Sequence, residues 1–402
     1  MDDVTYLDNN ATTRVADEVR EAMTPFLSDR YGNASSIHSF GGRISRDVDR
    51  ARQQVAHLLG CHPTEIVFTS CGTESDNTAI RSALHVFPAR RRLVTTRVEH
   101  PAVRNLCLRL AKGGGPMPRY RLIELPVDAR GTLDLPDLGN ALSDDTAVAS
   151  IMWANNETGV VFPVEKIGAM CRDQGVPFHT DAVQAVGKIP MRLADLPIDM
   201  LSLSGHKLHA PKGVGALYVR RGCRFQPFMV GGHQESNRRG GTEAVAQIVG
   251  LGRAAELAAE RMDEERTRVA ELRDRLEREL LARCPDARVN GDPEHRLPNT
   301  TNISFEYIEG ESILLMLDQH GICASSGSAC TTGSLEPSHV LRAMGVPYTA
   351  AHGSIRFSLS VYNTNADVDK VIEVLPPVIR RLREISPFGR EPAKVGGGQA
   401  GA

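Results

Sequence analysis

The sequence predicts an α/β protein in which a large domain with a mostly parallel sheet is followed by a smaller α+β domain. Three observations carry this. Between about residues 65 and 219, seven short β-rich runs alternate with helical or loop segments. A long helical stretch then leaves that region, and strands and helices mix beyond it. The chain has 402 residues, more than one ordinary domain at roughly 150 residues each. With 41% hydrophobic and 24% charged residues, it has enough apolar material for a large core.

The expected strands are Glu65–Thr69, Leu93–Val98, Arg121–Pro126, Ala147–Met152, Pro177–Thr180, Met200–Ser204 and Val214–Val219. Thr73–His85, Pro101–Ala111 and Val164–Gln174 are amphipathic and are the expected helices between them. In such sheets ligands bind at the carboxyl ends of strands, so residues just past each run are the candidates. Gly250 to Arg283 reads as one connecting helix, because Val269, Leu272, Leu276 and Leu280 recur at i+3/i+4 spacing. After it, Asn302–Glu306 and Ser354–Ser360 are expected strands, and Glu311–His320 and Asp367–Ile385 expected helices. The expected division is 16–255 for the large domain, with 1–15 and 256–387 for the small one. Residues 388–402, rich in Gly, Ala and Pro, are an expected disordered tail.

Several functions are set aside by composition. Lys and Arg number 47 against 49 Asp and Glu, without the basic excess of a nucleic-acid binder. The longest apolar run, Ala147 to Ala154, falls far short of the ~20 residues a bilayer requires. The start, Met1-Asp2-Asp3, lacks the apolar stretch of a secretory signal. The eight cysteines (Cys61, Cys71, Cys107, Cys171, Cys223, Cys284, Cys323 and Cys330) show no C-x-x-C or zinc-finger spacing. The expectation is reduced thiols in a cytoplasmic protein, mostly buried, with no intrinsic metal site.

Ser204-Gly205-His206-Lys207 closes one strand, and Phe178-His179-Thr180-Asp181 closes another, with Gln184 three residues on. A lysine and an aspartate on neighbouring strand ends suit pyridoxal 5'-phosphate (PLP): the amine binds the aldehyde and the carboxylate pairs with the ring nitrogen. A buried salt bridge explains these two residues alone equally well. Phosphate handling favours the cofactor. Ser70-Cys71-Gly72-Thr73 opens a helix whose first N–H groups and Thr73 hydroxyl suit an anion. Ser204 and His206 lie beside the lysine, and Gly240-Gly241-Thr242 is another small hydroxyl-bearing turn. No P-loop or Rossmann glycine pattern follows a strand. His100 ends a strand before Pro101, as either a ring-stacking proton shuttle or a helix cap. Asn155-Asn156 follows Ala147–Met152, as either a ligand to a ring oxygen or a turn.

The stretch Ala324 to Ser334 is small, polar and glycine-punctuated, so a mobile loop is expected over about 324–336. Cys330, in its middle, reads as a deliverable nucleophile, whereas Cys323 closes an apolar run and reads as core. Arg356 lies opposite the apolar face of Ile355, Phe357 and Leu359. There its guanidinium could clamp a carboxylate in a bidentate way, or form a surface ion pair.

Taken in order, GTES, VEHPAV, NNETG, HTDAVQ, SGHK and SSGSAC resemble the PLP-dependent cysteine desulfurases of fold type I, class-V aminotransferase-like. The likeness runs from about Tyr6 (YLDNNATT) to about Pro387. GTESDN, WANNETG and ACTTGSLEPSHVLRAMG are most similar to the nitrogen-fixation, NifS-type branch, with the housekeeping iron–sulfur branch next. The resemblance implies a large PLP-binding domain with a seven-stranded sheet, a homodimer, and conversion of L-cysteine to L-alanine. It implies that Lys207 is the Schiff-base lysine, that Cys330 takes the sulfur as a persulfide, and that His100 stacks on the ring. Asp181 meets the ring nitrogen, and Gln184 and Asn156 the ring oxygen. Gly72, Thr73, Ser204, His206 and a partner subunit's Thr242 serve the phosphate, while Asn156 and Arg356 hold substrate. An iron–sulfur scaffold or other acceptor protein would take the sulfur, with Cys330 a transient iron–sulfur ligand. A selenocysteine lyase and a PLP aminotransferase are the alternatives among enzymes, although a transaminase has no use for a loop thiol. A scaffold holding clusters on scattered cysteines is the non-enzymatic alternative.

Overall fold

The computed structural model describes residues 4–114, 118–326 and 337–386. Cys330, most of the expected loop and the expected tail lie outside the described residues.

The chain begins with β1 (Thr5–Tyr6), α1 (Asp17–Met23) and α2 (Ser39–Leu59). The alternating region follows as β2 (Ile66–Thr69), α3 (Gly72–Val86), β3 (Arg92–Thr96), α4 (Pro101–Lys112) and β4 (Arg121–Leu125). It continues with α5 (Leu135–Ala141), β5 (Thr146–Ser150), α6 (Val164–Asp173), β6 (Phe178–Asp181), β7 (Met200–Ser204) and β8 (Gly215–Val219). These seven strands, β2 to β8, form one sheet in the order β2-β8-β7-β6-β5-β3-β4. β8 runs antiparallel to both its neighbours, and the other pairs are parallel. The central strands are buried along their whole length, as expected of a sheet covered on both faces. A large mixed sheet plus a smaller α+β unit is the architecture that the resemblance implies.

The expected single helix from Gly250 to Arg283 is broken. α7 (Val245–Glu260) gives way at Arg261 to α8 (Met262–Glu264), a π-helical turn (Glu265–Val269) and α9 (Ala270–Arg283). The break falls where the buried face changes partner. Leu257 packs with the core of the large sheet, whereas Val269, Leu272 and Leu276 pack with a second core. An extra residue in a π turn rotates the helix phase, which uninterrupted α-helical spacing cannot do.

The second core gathers Leu7, Ile303, Phe305, Ile355, Phe357, Val371 and Leu375. Around it lie β9 (Ala287–Val289), β10 (Thr300–Phe305), α10 (Gly310–Gln319), β11 (Ile322–Cys323) and β12 (Ser325–Ser326). α11 (His339–Ala343), α12 (Tyr348–His352), β13 (Ser354–Ser358) and α13 (Asn365–Ile385) complete the chain. The second sheet runs β12-β13-β10-β9, and β1 pairs with β11. Three expectations are corrected here. Ser325 and Ser326 form a short strand, not part of a loop, because their backbone pairs with Arg356 and Ile355. Cys323 is only half-buried, since the two-stranded β1–β11 pair leaves one side open. Cys61, Cys71 and Cys223 are likewise half-buried, against the expectation of mostly buried thiols. Among the described residues no helix is long and apolar enough to cross a membrane.

Candidate active site

The carboxyl ends of β2, β5, β6 and β7, with the turn before α4, converge on one cavity of about 350 Å³. Gly72, Thr73, His100, Asn156, Asp181, Gln184, Ser204, His206, Lys207 and Arg356 all line it. Thr242 does not: it lines a separate cavity with Ser70, Arg239 and Glu243, and its side chain is exposed.

Each side chain is placed by a local device. Lys207 ends a 3₁₀ turn (Gly205–Lys207) directly after β7. Its Nζ donates to the carbonyl oxygens of Asn10 and, at 2.7 Å, Ala11. Asp181 is the last residue of β6, and its Oδ1 accepts from the Val183 amide at 2.9 Å. Burial raises its pKa, opposed by His100, the Val183 amide and Lys207. His100 caps α4 by accepting from the Ala102 amide at 3.2 Å while its ring faces the cavity, so it is both cap and site residue. Burial lowers its pKa, as does the neighbouring Lys207 charge, while Asp181 pulls it up. His206, bonded at Nδ1 to the Thr12 hydroxyl at 3.1 Å, is held near pH 4 by burial first and then by Lys207.

The Asn pair divides its labour. Asn155 builds the turn, donating to the Val98 carbonyl at 3.0 Å and accepting from the Glu157 and Thr158 amides. Asn156 lies on the cavity wall. Beside them Glu99 is fully buried and accepts from the Thr96 hydroxyl at 2.7 Å and the Met152 amide at 3.1 Å. Burial pushes its pKa up to about 8, so at neutral pH it is a protonated tie between the His100 turn and β5.

These residues fit PLP. Cys71, at the N-cap of α3, contributes no side-chain cap, so among the described residues its side chain leaves the first-turn N–H groups available to an anion at the cavity. A Cβ on Gly72 would meet Val183 Cγ2 at 2.8 Å, so only glycine leaves the backbone this close to the wall. Gln184 donates through Nε2 to the Asn10 carbonyl at 3.0 Å, while its buried Oε1 has no partner among the described residues. An unpaired buried amide oxygen beside a cavity marks a place where a ligand completes the set.

The N-terminal strap was missed in sequence reasoning. Asn10 donates to the Asn156 carbonyl and to Thr300 Oγ1, and Asp8 pairs with Arg356. Cys71 and Asp76 also line the cavity. The run YLDNNATT was the available signal, but its distance along the chain from every strand end hid its role. Elsewhere, Asp292, Glu294 and His295 bring ligand atoms within 4.8 Å of one another, but Arg130 already pairs with Asp292.

Comparison with known proteins points to one family. The family described as Aminotransferase class-V matches residues 5–371. The chain is 60% identical over 390 residues to a cysteine desulfurase of Trichormus azollae, covering 97% of this chain and 96% of that one. It is 59% identical over 384 residues to the cysteine desulfurase NifS of Azotobacter vinelandii, covering 95% and 94%. Among solved structures, a NifS-like protein superposes with a TM-score of 0.87 at 38% identity, covering 94% of this chain and 100% of the other.

Proposed function

The chain belongs to the class-V aminotransferase family as a PLP-dependent cysteine desulfurase, and from that premise we propose which residues do its work and where its sulfur goes. It converts L-cysteine to L-alanine and passes the sulfur on. When bound, PLP supplies an electron sink for the pair left as the Cα–H bond breaks.

In this reading the arms of Arg356 hold the substrate carboxylate beside Asn156. Lys207, freed when substrate enters, takes the proton from Cα. Asp181 would keep a negative charge for the ring nitrogen, and His100 would stack on the ring. Gln184 and Asn156 bind the ring oxygen. The phosphate is held by the α3 amides at Gly72 and Thr73, by Ser204 and His206, and by Thr242 of the partner subunit. The Cys330 thiolate attacks the substrate sulfur. A new S–S bond forms as the Cβ–S bond breaks, the electron pair stays with the carbon skeleton, and protonation gives alanine. The persulfide on Cys330 then moves to an acceptor. The convergence of Lys207, Asp181, His100 and Arg356 on one cavity carries this assignment.

The finer reading is a homodimer in a reducing cytoplasm, supplying sulfur for iron–sulfur cluster assembly, chiefly for nitrogenase. Its likeness to NifS and the wording of GTESDN and WANNETG support that role. The free thiols among the described residues support the compartment. Exposed Phe228, Met229 and Val230, packed through Gly240 against the segment carrying Thr242, support a partner surface there. The division into a large domain of 16–255 and a small one of 1–15 and 256–387 is supported by Leu7, Ile303, Phe357 and Leu375 sharing one core, although Leu297, Val340, Leu341 and Ala351 pack with the core of the large sheet.

Mass spectrometry of the PLP-loaded protein after L-cysteine addition is the test. One extra sulfur on the peptide carrying Cys330 is expected. Cys330→Ala should keep the cofactor's colour and release no sulfide under reductant. Undiminished release would overturn the assignment of Cys330.

A further inference from the structure

Asp76 has no part in the chemistry above, yet it lines the same cavity as Asp181. It sits on α3, one turn in from Gly72, and is 1% exposed. Its Oδ1 has no hydrogen-bond partner among the described residues. An ionised carboxylate oxygen sealed from water with no donor is strongly disfavoured, whereas a neutral carboxyl there is tolerated.

The surroundings support a proton on Asp76. Asp181, Glu99 and the Cys71 thiol face it, with Ser202 and His179 beneath. Among the described residues, the charged groups that act most strongly on it are acidic. Asp181, in contrast, has Lys207, His100 and the Val183 amide to stabilise its charge. Two carboxyl groups that repel each other in a buried site do not readily both ionise, and the proton stays on the one with the poorer partners. Burial first, then the Asp181 charge, pushes Asp76 well above the ordinary carboxylate range, with the Ser202 hydroxyl opposing.

Below it runs a buried polar chain. His179 and Asp181 are two residues apart on β6 and so share one face of the sheet. His179 Nε2 lies 2.9 Å from Ser202 Oγ and 3.6 Å from Asp76 Oδ1, and Nδ1 lies 2.8 Å from Ser150 Oγ. Burial holds the imidazole neutral, with its pKa pushed down to about 3. A neutral imidazole has one donor and one acceptor, so the chain has a direction.

We propose that Asp76 is a positioning residue that carries a proton, leaving Asp181 the one ionised carboxyl group beneath the ring nitrogen of PLP. The chain then runs one way: Asp76 donates toward Ser202, Ser202 donates to His179 Nε2, and His179 Nδ1–H donates to Ser150. This rests on the reading that Asp181 faces the ring nitrogen.

Infrared difference spectra of the full chain, with and without PLP, compare wild type with Asp76→Asn at neutral pH. The substitution should remove the carbonyl band of a protonated carboxyl group. Loss of carboxylate bands instead would overturn the proposal. Nitrogen-15 spectra should show His179 neutral with its proton on Nδ1; an imidazolium, or a proton on Nε2, would overturn the chain's direction. Thermal unfolding of the cofactor-free protein gives a third readout. Stability from a carboxyl with raised pKa is full at low pH and fades as pH rises above the unfolded value. Wild type should therefore lose ground to Asp76→Asn from about pH 4 upward, whereas a purely structural role shifts both equally at every pH. Should the variant not fold, carbon-13 labelling of aspartate in the wild type reads the same proton directly. Asp181→Asn separates the two readings: unchanged cofactor absorption and affinity would defeat the ring-nitrogen assignment, while the proton on Asp76 is read independently.

Discussion

Asp8 and Arg356, 348 residues apart in sequence, form a partly buried ion pair at 2.8 Å, Oδ1 to Nη2. The other arm of the guanidinium donates to the Asn156 carbonyl at 3.0 Å, while Nε has no partner among the described residues. The group is thus aimed by the N-terminal strap and the β5 turn together, with donor capacity left for a substrate carboxylate. Arg356→Lys keeps the charge but loses the planar fork. KM for L-cysteine should rise on the order of tenfold or more, from losing a charge-assisted hydrogen bond of about 1.5–3 kcal/mol. The cofactor's absorption should not change. Steady-state kinetics beside a spectrum of the loaded protein checks both.

Removing Asp8 tests the other half of the pair. The two side chains are 17% and 7% exposed, so Asp8→Ala leaves a largely buried cation uncompensated. About 3 kcal/mol of folding stability should be lost, measured by denaturant unfolding of the cofactor-free protein. Part of the loss should return when a small carboxylate is added at high concentration, because an anion can then take the place of Asp8.

Glu157 predicts a pH effect. It is fully buried, accepts from the Ser338 hydroxyl, and has its pKa pushed up to about 7 by burial, with Ser338 and Arg356 opposing. Because the folded value is above the unfolded one, the stability contributed is full below about pH 4.5 and is lost as pH rises to about 7. Glu157→Gln keeps the shape and removes the titration. The variant should match wild type near pH 4.5 and exceed it at pH 8, by up to about 3 kcal/mol at 1.36 kcal/mol per unit. A constant difference across that range would contradict the assignment.

How much of this was legible in the sequence depends on how locally each feature is determined. The strands of the large sheet are short apolar runs closed by turn residues, so β7 matches its expected span and the others shift by a residue or two. Lys207, Asp181 and His100 were legible because each stands at or just past a strand end: Asp181 closes β6, Lys207 ends the turn after β7, and His100 follows β3 by four residues. α2 carries Ile44, Val48, Ala51 and Val55 on one buried face at helical spacing, a signal that lies before the strand–helix alternation and outside it. The π turn was invisible, since Val269, Leu272 and Leu276 keep helical spacing on both readings and only the change of packing partner reveals the break. The strap from Asp8 to Ala11 depends on contacts across the chain, and Asp76 looks like any polar residue on a helix until the sheet beneath it is seen.

Gly72 and Gly168 make a paired prediction. A Cβ on Gly72 meets Val183 Cγ2 at 2.8 Å and Ser204 Cβ at 3.4 Å, and Val183 also supplies the amide that Asp181 accepts. A Cβ on Gly168 meets the Pro197 carbonyl oxygen at 2.2 Å, away from the cavity. Both alanine variants should lose about 1–3 kcal/mol of stability from overpacking. Only Gly72→Ala should also weaken PLP affinity, by roughly tenfold for each 1.4 kcal/mol, as read by equilibrium dialysis. Equal affinities in the two variants would detach Gly72 from the cofactor.

The choice of Lys207 over its nearest rival can be argued from what each amine already does. Lys188 also lies near this region, but it is buried, its Nζ bonds the Gln184 carbonyl at 3.3 Å, and it faces the Glu265 carboxyl. An amine so committed cannot swing into the cavity without stranding a buried acid. Lys207 is held by backbone carbonyls of the strap, which a moving amine can release to solvent or substrate, and it faces Asp181 and His100. Borohydride reduction of the loaded protein followed by peptide mapping should therefore place the cofactor on the peptide containing Lys207 and never on that of Lys188. Lys207→Ala should lower turnover by about a thousandfold, within the 10²–10⁴ range of a lost general acid–base group. Lys188→Ala should instead lower stability and leave the covalent attachment in place, because its loss removes a partner of Glu265 and nothing that reaches the ring.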